Sequence, residues 1–85
     1  MGRGSVEGQA DRVFTNLELA LQAAGSSLRR LARVTVYLTD AGHVAAFRAV
    51  RDRRLVGCRP ASTVVVVEAL VDPALLVEID AIATV

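Results

Sequence analysis

The chain has no lysine and no tryptophan, and only one cysteine, one histidine and one tyrosine among its 85 residues. Each scarcity removes a class of function. A lone cysteine, Cys58, makes no intrachain disulfide, so a reducing, cytoplasmic setting is expected. A lone histidine, His43, without a cysteine cluster leaves no ligand set for a zinc site within one chain, and neither a metal nor a cofactor is expected. Aromatics make up 4% of the residues, too few for a base-stacking platform, and a net charge of +1 exerts no general pull on nucleic acid. All ten basic residues are arginine, in keeping with nucleotide composition of the source rather than with a function. No apolar run approaches the roughly 20 residues that span a bilayer. The opening Met1-Gly2-Arg3-Gly4-Ser5 lacks an apolar h-region, so neither a membrane partner nor a signal peptide is expected.

What the chain has in excess is apolar surface: 53% of its residues are hydrophobic and the mean hydropathy is +0.44. A domain of this size buries only roughly 60% of its unfolded surface. The surplus points to self-association, with another copy covering what one core cannot hide. A flexible lead is expected over residues 1–5 and a single domain over residues 6–85.

Apolar residues at three- and four-residue steps (Ala10, Val13, Phe14, Leu17, Leu21) predict a first helix, capped by Ser5 and stopped at Gly25. Ala32, Val34, Val36 and Leu38 alternate with Arg33, Thr35 and Tyr37, which predicts a strand. Thr39 or Asp40 caps a second helix whose inner side is Val44, Phe47 and Val50 and whose last turns are rich in arginine. Those arginines read as dipole-compensating, salt-bridging groups rather than a phosphate-backbone patch. Gly57 ends the helix. A strand follows from about Ala61 to Glu68, containing the unbroken run Val64–Val67. Such a run predicts cover on both faces, the second from another subunit. Asp72-Pro73 marks a turn, and Leu75 to Thr84 a last strand with Val77, Ile79, Ala81 and Ala83 on one face. The fold class is α+β, in the order α-β-α-β-β, with both helices on one face of a mixed sheet. If the strands alternate in this way, the opposite face carries Thr35, Tyr37, Ser62, Val64, Val66, Glu68, Glu78 and Asp80: apolar residues mixed with acids, as in a subunit interface enclosing a polar pocket.

Three separated blocks carry a resemblance: Ala24-Gly25-Ser26-Ser27-Leu28 leading to Val34-Thr35-Val36-Tyr37-Leu38-Thr39-Asp40; Arg59-Pro60-Ala61 before a valine-rich strand; and Leu76-Val77-Glu78-Ile79-Asp80-Ala81-Ile82-Ala83. Together they resemble the RidA/YjgF/UK114 (Rid) family, also labelled endoribonuclease L-PSP. The resemblance implies a chorismate-mutase-like fold, a homotrimer with ligand sites between subunits, and hydrolysis of reactive enamines and imines such as 2-aminoacrylate. It also marks two departures. Family members begin with further strands before the first helix, whereas this sequence starts at the helix. Deaminating members carry an arginine directly after Pro-Ala that clamps a substrate carboxylate; Ser62 stands there, with one uncharged hydroxyl.

On this basis Glu78 matches the acidic residue that positions the attacking water; the plainer reading is an acid paired with an arginine at an interface. Ser62, Thr63, Arg59 and Tyr37 are the substrate-binding candidates. Against these stand strand-end hydrogen bonding for Ser62 and Thr63, interface packing for Tyr37, and an outward-pointing side chain for Arg59. Cys58 lies beside Arg59, but no histidine is near in sequence, so a Cys–His nucleophile is not expected. Two functions remain open: a hydrolase of the enamine/imine deaminase type with weak or altered activity, or a non-catalytic metabolite-binding or interaction module on the same trimeric scaffold.

Overall fold

The computed structural model describes residues 5–85. Helix α1 (Val6–Ala23) begins where Ser5 Oγ accepts the Gly8 N–H at 3.1 Å, satisfying one otherwise orphaned donor. It ends in a full Schellman motif. Gly25 takes φ 81°, its N–H reaches Gln22 O at 3.1 Å, and the Ser26 N–H reaches Leu21 O at 2.7 Å. A 3-10 turn (Leu28–Arg30) leads into strand β1 (Leu31–Leu38). Of the two capping candidates for the next helix, Asp40 does the work: its Oδ1 accepts the Gly42 N–H at 2.7 Å above a 3-10 turn (Ala41–His43) that runs on into α2 (Val44–Arg54). Strands β2 (Ala61–Val66) and β3 (Val77–Ala83) complete the fold. The flexible lead expected over residues 1–5 falls outside the described residues except for Ser5, which is the cap.

The three strands form one mixed sheet in the order β2-β1-β3. Strand β1 is central, parallel to β2 and antiparallel to β3. Helix α2 is the crossover that parallel pairing of β1 with β2 requires. Both helices cover the same sheet face. Val34, Val36 and Leu38 of β1 are fully buried there, against Phe14 of α1, Phe47 and Val50 of α2, and Val77 of β3. The Phe14 and Phe47 rings stack with centroids 6.1 Å apart. Burial of each such side chain contributes about 1.5–3 kcal/mol.

Two polar contacts lock the layers. Arg54 reaches back from the end of α2 to α1, where its Nη1 donates to Asp11 Oδ1 at 2.7 Å, to Asp11 O at 2.8 Å and to Thr15 Oγ1 at 3.1 Å. That hydrogen bond, with the adjoining charge, holds the Asp11 carboxyl below its usual range. Arg54 is thus a strut between helices, more than a dipole-compensating surface group. The second contact is Gln9, buried in α1. Its Nε2 donates to Ala74 O at 3.0 Å and its Oε1 accepts the Leu76 N–H at 2.7 Å, fixing the loop that delivers β3.

Two expectations are corrected. Ala32 does not point into the core. A register shift between Leu31 and Arg33 makes a bulge, so Leu31 is buried and Ala32 exposed. Strand β2 has the opposite parity to that expected. Ser62 pairs with Val34, Val64 with Val36 and Val66 with Leu38, so these three share the helix-covered face, and Thr63 and Val65 lie on the other. Within one chain the valine run is covered only in part, as a run whose second cover comes from another subunit would be. β2 is a sheet edge in the described chain; Val65 is 38% and Val66 49% exposed, and only Val64 packs against the core.

Candidate functional site

The sheet face away from the helices is a grid set by register. Its rows are Val65–Tyr37–Glu78, Thr63–Thr35–Asp80 and Ala61–Arg33–Ile82. Alternation along each strand places these side chains together by necessity. Among the described residues no helix or further strand covers them, and Ile82 is 61% exposed.

The grid has an acidic end. The Tyr37 hydroxyl donates to Asp80 Oδ2 at 2.9 Å, diagonally across the β1–β3 pair, and Glu78 lies directly opposite Tyr37. The hydrogen bond to Asp80, with partial burial and the negative charges of Asp80 and Glu78, raises the Tyr37 pKa above its ordinary 10.0. The neutral phenol is therefore the form the fold favours. Its contribution to stability is complete below the ordinary pKa and lost as pH rises through the raised value. Because the chain has one tyrosine, its ring-carbon NMR shift reads this group alone. The titration midpoint is expected above that of free tyrosine and should fall towards it in Asp80→Asn. An unchanged midpoint in that variant would contradict the contact.

The sequence-based candidates divide into two groups. Glu78, Tyr37 and Thr63 share the uncovered face. Ser62 and Arg59 do not join them. They line a cleft of about 490 Å³ on the helix side, between the end of α2 and the start of β2, together with Arg51, Asp52 and Cys58. The Glu78 side chain has no hydrogen bond to a described residue, and Glu78 also borders a cleft of about 490 Å³ between α1 and the outer edge of β3. His43 and Cys58 are not brought together: the former precedes the first residue of α2, without a side-chain capping bond, and the latter follows its far end. The alternation of the last strand puts Asp80 on this face beside Glu78, and the structure makes it the hydrogen-bond partner of Tyr37. One residue of weight was missed. Gln9 carried no signal, because its partners lie 65 and 67 residues away.

Two helices on one side of a three-stranded mixed sheet, with an acid-bearing bare face, define the chorismate-mutase-like layer of the Rid proteins. The crystal structure of Rv2704, a YjgF/YER057c/UK114 family member from Mycobacterium tuberculosis, superposes with a TM-score of 0.92 at 33% identity, over 95% of this chain and 69% of that one. RidA from an Antarctic Psychrobacter superposes at 0.90 and 33% identity, over 95% and 65%. The family model described as Endoribonuclease L-PSP matches residues 1–85. Protein DfrA of Myxococcus xanthus is 42% identical over 83 residues, 98% of this chain and 63% of that protein. Protein HMF1 of Saccharomyces cerevisiae is 36% identical over 67 residues, 79% of this chain and 52% of that protein. The chain belongs to the Rid (YjgF/YER057c/UK114, endoribonuclease L-PSP) family. It spans less than two-thirds of the length of these two curated relatives.

Proposed function

We propose that the protein handles a small imine, enamine or related carbonyl metabolite at a site between subunits. The observation that carries this reading is Glu78 standing beside Tyr37 on a sheet face that one chain leaves bare, in a member of the Rid family. A second copy over that face would exclude water from the acidic end of the grid. In the reaction, Glu78 holds a water for addition to the imine carbon; the carbon–nitrogen bond then breaks, releasing ammonia and leaving a carbonyl product. Thr63 and Tyr37 lie near enough on the grid to orient a bound metabolite.

Hydrolytic deamination of amino-acid-derived imines is expected to be weak. The residue after Pro-Ala is Ser62, and a charge-assisted hydrogen bond of the kind an arginine would give contributes on the order of 1.5–3 kcal/mol. Ammonia release from 2-aminoacrylate generated in situ should be slow for this chain; with a second copy's β2 edge brought over the grid, it should rise in Ser62→Arg and fall again when Glu78→Gln is added. A rate for the unaltered chain equal to that of an arginine-bearing relative would overturn the expectation.

A second reading, a non-catalytic binding or interaction module on the same trimeric scaffold, is favoured by one observation. Ser62 and Arg59 lie on the other side of the sheet from Glu78, Tyr37 and Thr63, so one chain assembles no complete constellation. Thermal stabilisation by small carbonyl metabolites without turnover would select it.

A further inference from the structure

We propose that the cleft between the end of α2 and the start of β2 is an oxyanion site, lined by Arg51 and Arg59 and with Arg29 beside its Gly57 edge, that takes the phosphate group of a small ligand. This goes beyond the imine reading, since it requires neither Glu78 nor any turnover, and it lies across the sheet from Tyr37. The cleft is bordered by Arg51 and Arg59, with the Ser62 hydroxyl as a neutral donor and Leu55 and Pro60 as apolar wall. A third guanidinium arrives from far away in sequence. Gly57 takes φ 80°, and a Cβ built there would lie 3.6 Å from Arg29 Nη1, so Arg29 rests against the bare backbone of the loop that forms the cleft. Only one carboxylate, that of Asp52, lines the cleft. It is already engaged by Arg51, whose Nε and Nη2 reach Asp52 Oδ1 at 3.1 and 3.0 Å. Among the described residues, neither Arg29 nor Arg59 has a hydrogen-bonded or ion-paired acceptor.

Guanidinium groups stay charged at any physiological pH, and their planar donor forks match pairs of phosphate oxygens. Asp52 offsets the charge of Arg51 and leaves those of Arg59 and Arg29 unbalanced; a bound anion relieves the repulsion among the guanidiniums and supplies the missing acceptors. A phosphate dianion satisfies several guanidiniums at once. A carboxylate, with one charge and two oxygens, is matched by a single arginine, which is why phosphate is the group assigned.

The test is titration of the full chain with inorganic phosphate at an ionic strength held constant with chloride, followed by amide NMR. Saturable shifts centred on Gly57, Cys58 and Ser62 are expected. Arg59→Gln and Arg29→Gln alter exposed side chains, and each should weaken phosphate binding on the order of 10-fold or more, as loss of a charge-assisted contact does. Unchanged circular dichroism will show that the fold is intact. Shifts no larger than those caused by chloride, or variants that titrate like the unaltered chain, would overturn the site. Acetate binding as tightly as phosphate would overturn the assignment of phosphate. Slow imine hydrolysis bears on the proposed reaction alone and leaves this outcome untouched.

Discussion

Replacement of Phe47 by alanine is expected to destabilise the protein by about 3–5 kcal/mol, the usual cost of emptying a buried aromatic position. Phe47 is fully buried and its ring stacks on Phe14, so the cavity opens at the one place where α1, α2 and the sheet all meet. Partial collapse is restricted. The Arg54 contacts to Asp11 and Thr15 hold the helices at their present spacing and prevent α2 from sinking towards β1. Small domains have a total stability of about 5–15 kcal/mol, so the loss consumes a large share of it. Urea unfolding followed by far-ultraviolet circular dichroism measures the change. Phe47→Leu should recover much of it, because the apolar volume is largely kept. A Phe47→Ala variant within about 1 kcal/mol of the parent would mean that the position repacks, against the fold described above.

The second large effect is expected from Gln9→Leu. Leucine is a better helix former than most and keeps roughly the same volume, so composition alone predicts a neutral or stabilising change. The opposite is expected. The Leu76 N–H, which Gln9 Oε1 accepts at 2.7 Å, loses its partner at a half-buried position, and Ala74 O loses the Nε2 donor. An orphaned buried donor costs about 1–3 kcal/mol. The loop before β3 should loosen with it, seen as faster amide exchange at Leu76 and Val77 while β1–β2 pairing is unaffected. Gln9→Glu at a pH where the carboxylate is charged retains the acceptor for Leu76 N–H but not the donor to Ala74 O, and should fall between the two. If Gln9→Leu is as stable as the parent, the loop does not depend on this clasp.

Gln9 also shows where sequence reading reached its limit. The helices, their caps and the order of elements were legible because each rests on local chemistry: Ser5 before a run with helical period, Gly25 where a left-handed residue is needed, Asp40 ahead of α2. The last strand was legible for a similar reason, since Val77, Ile79 and Ala81 alternate with Glu78 and Asp80 and only one parity buries the apolar set. Strand β2 offers no such discrimination. Four consecutive valines look alike from either side, so a shift of one residue conserves the pattern, and its parity is fixed by how α2 and the Arg59-Pro60 segment deliver the chain to β1. That ambiguity moved Ser62 from the face of Tyr37 and Glu78 to the face of α2, and so split the expected site. Gln9 was hidden for a different reason: a glutamine near a helix start resembles any solvated residue until the loop it serves, far along the chain, is in place.

The position of Tyr37 has one more consequence. With no tryptophan in the chain, its phenol is the dominant intrinsic fluorophore, and it stands on the bare face beside a carboxylate that withdraws its proton in the excited state. Emission therefore works as a built-in gauge of one side of the molecule. A subunit or metabolite settling over the grid displaces water from the phenol and alters its brightness, whereas an anion entering the arginine cleft, with the sheet in between, leaves it unaltered. The protein carries its own means of telling which of its two sides has been occupied.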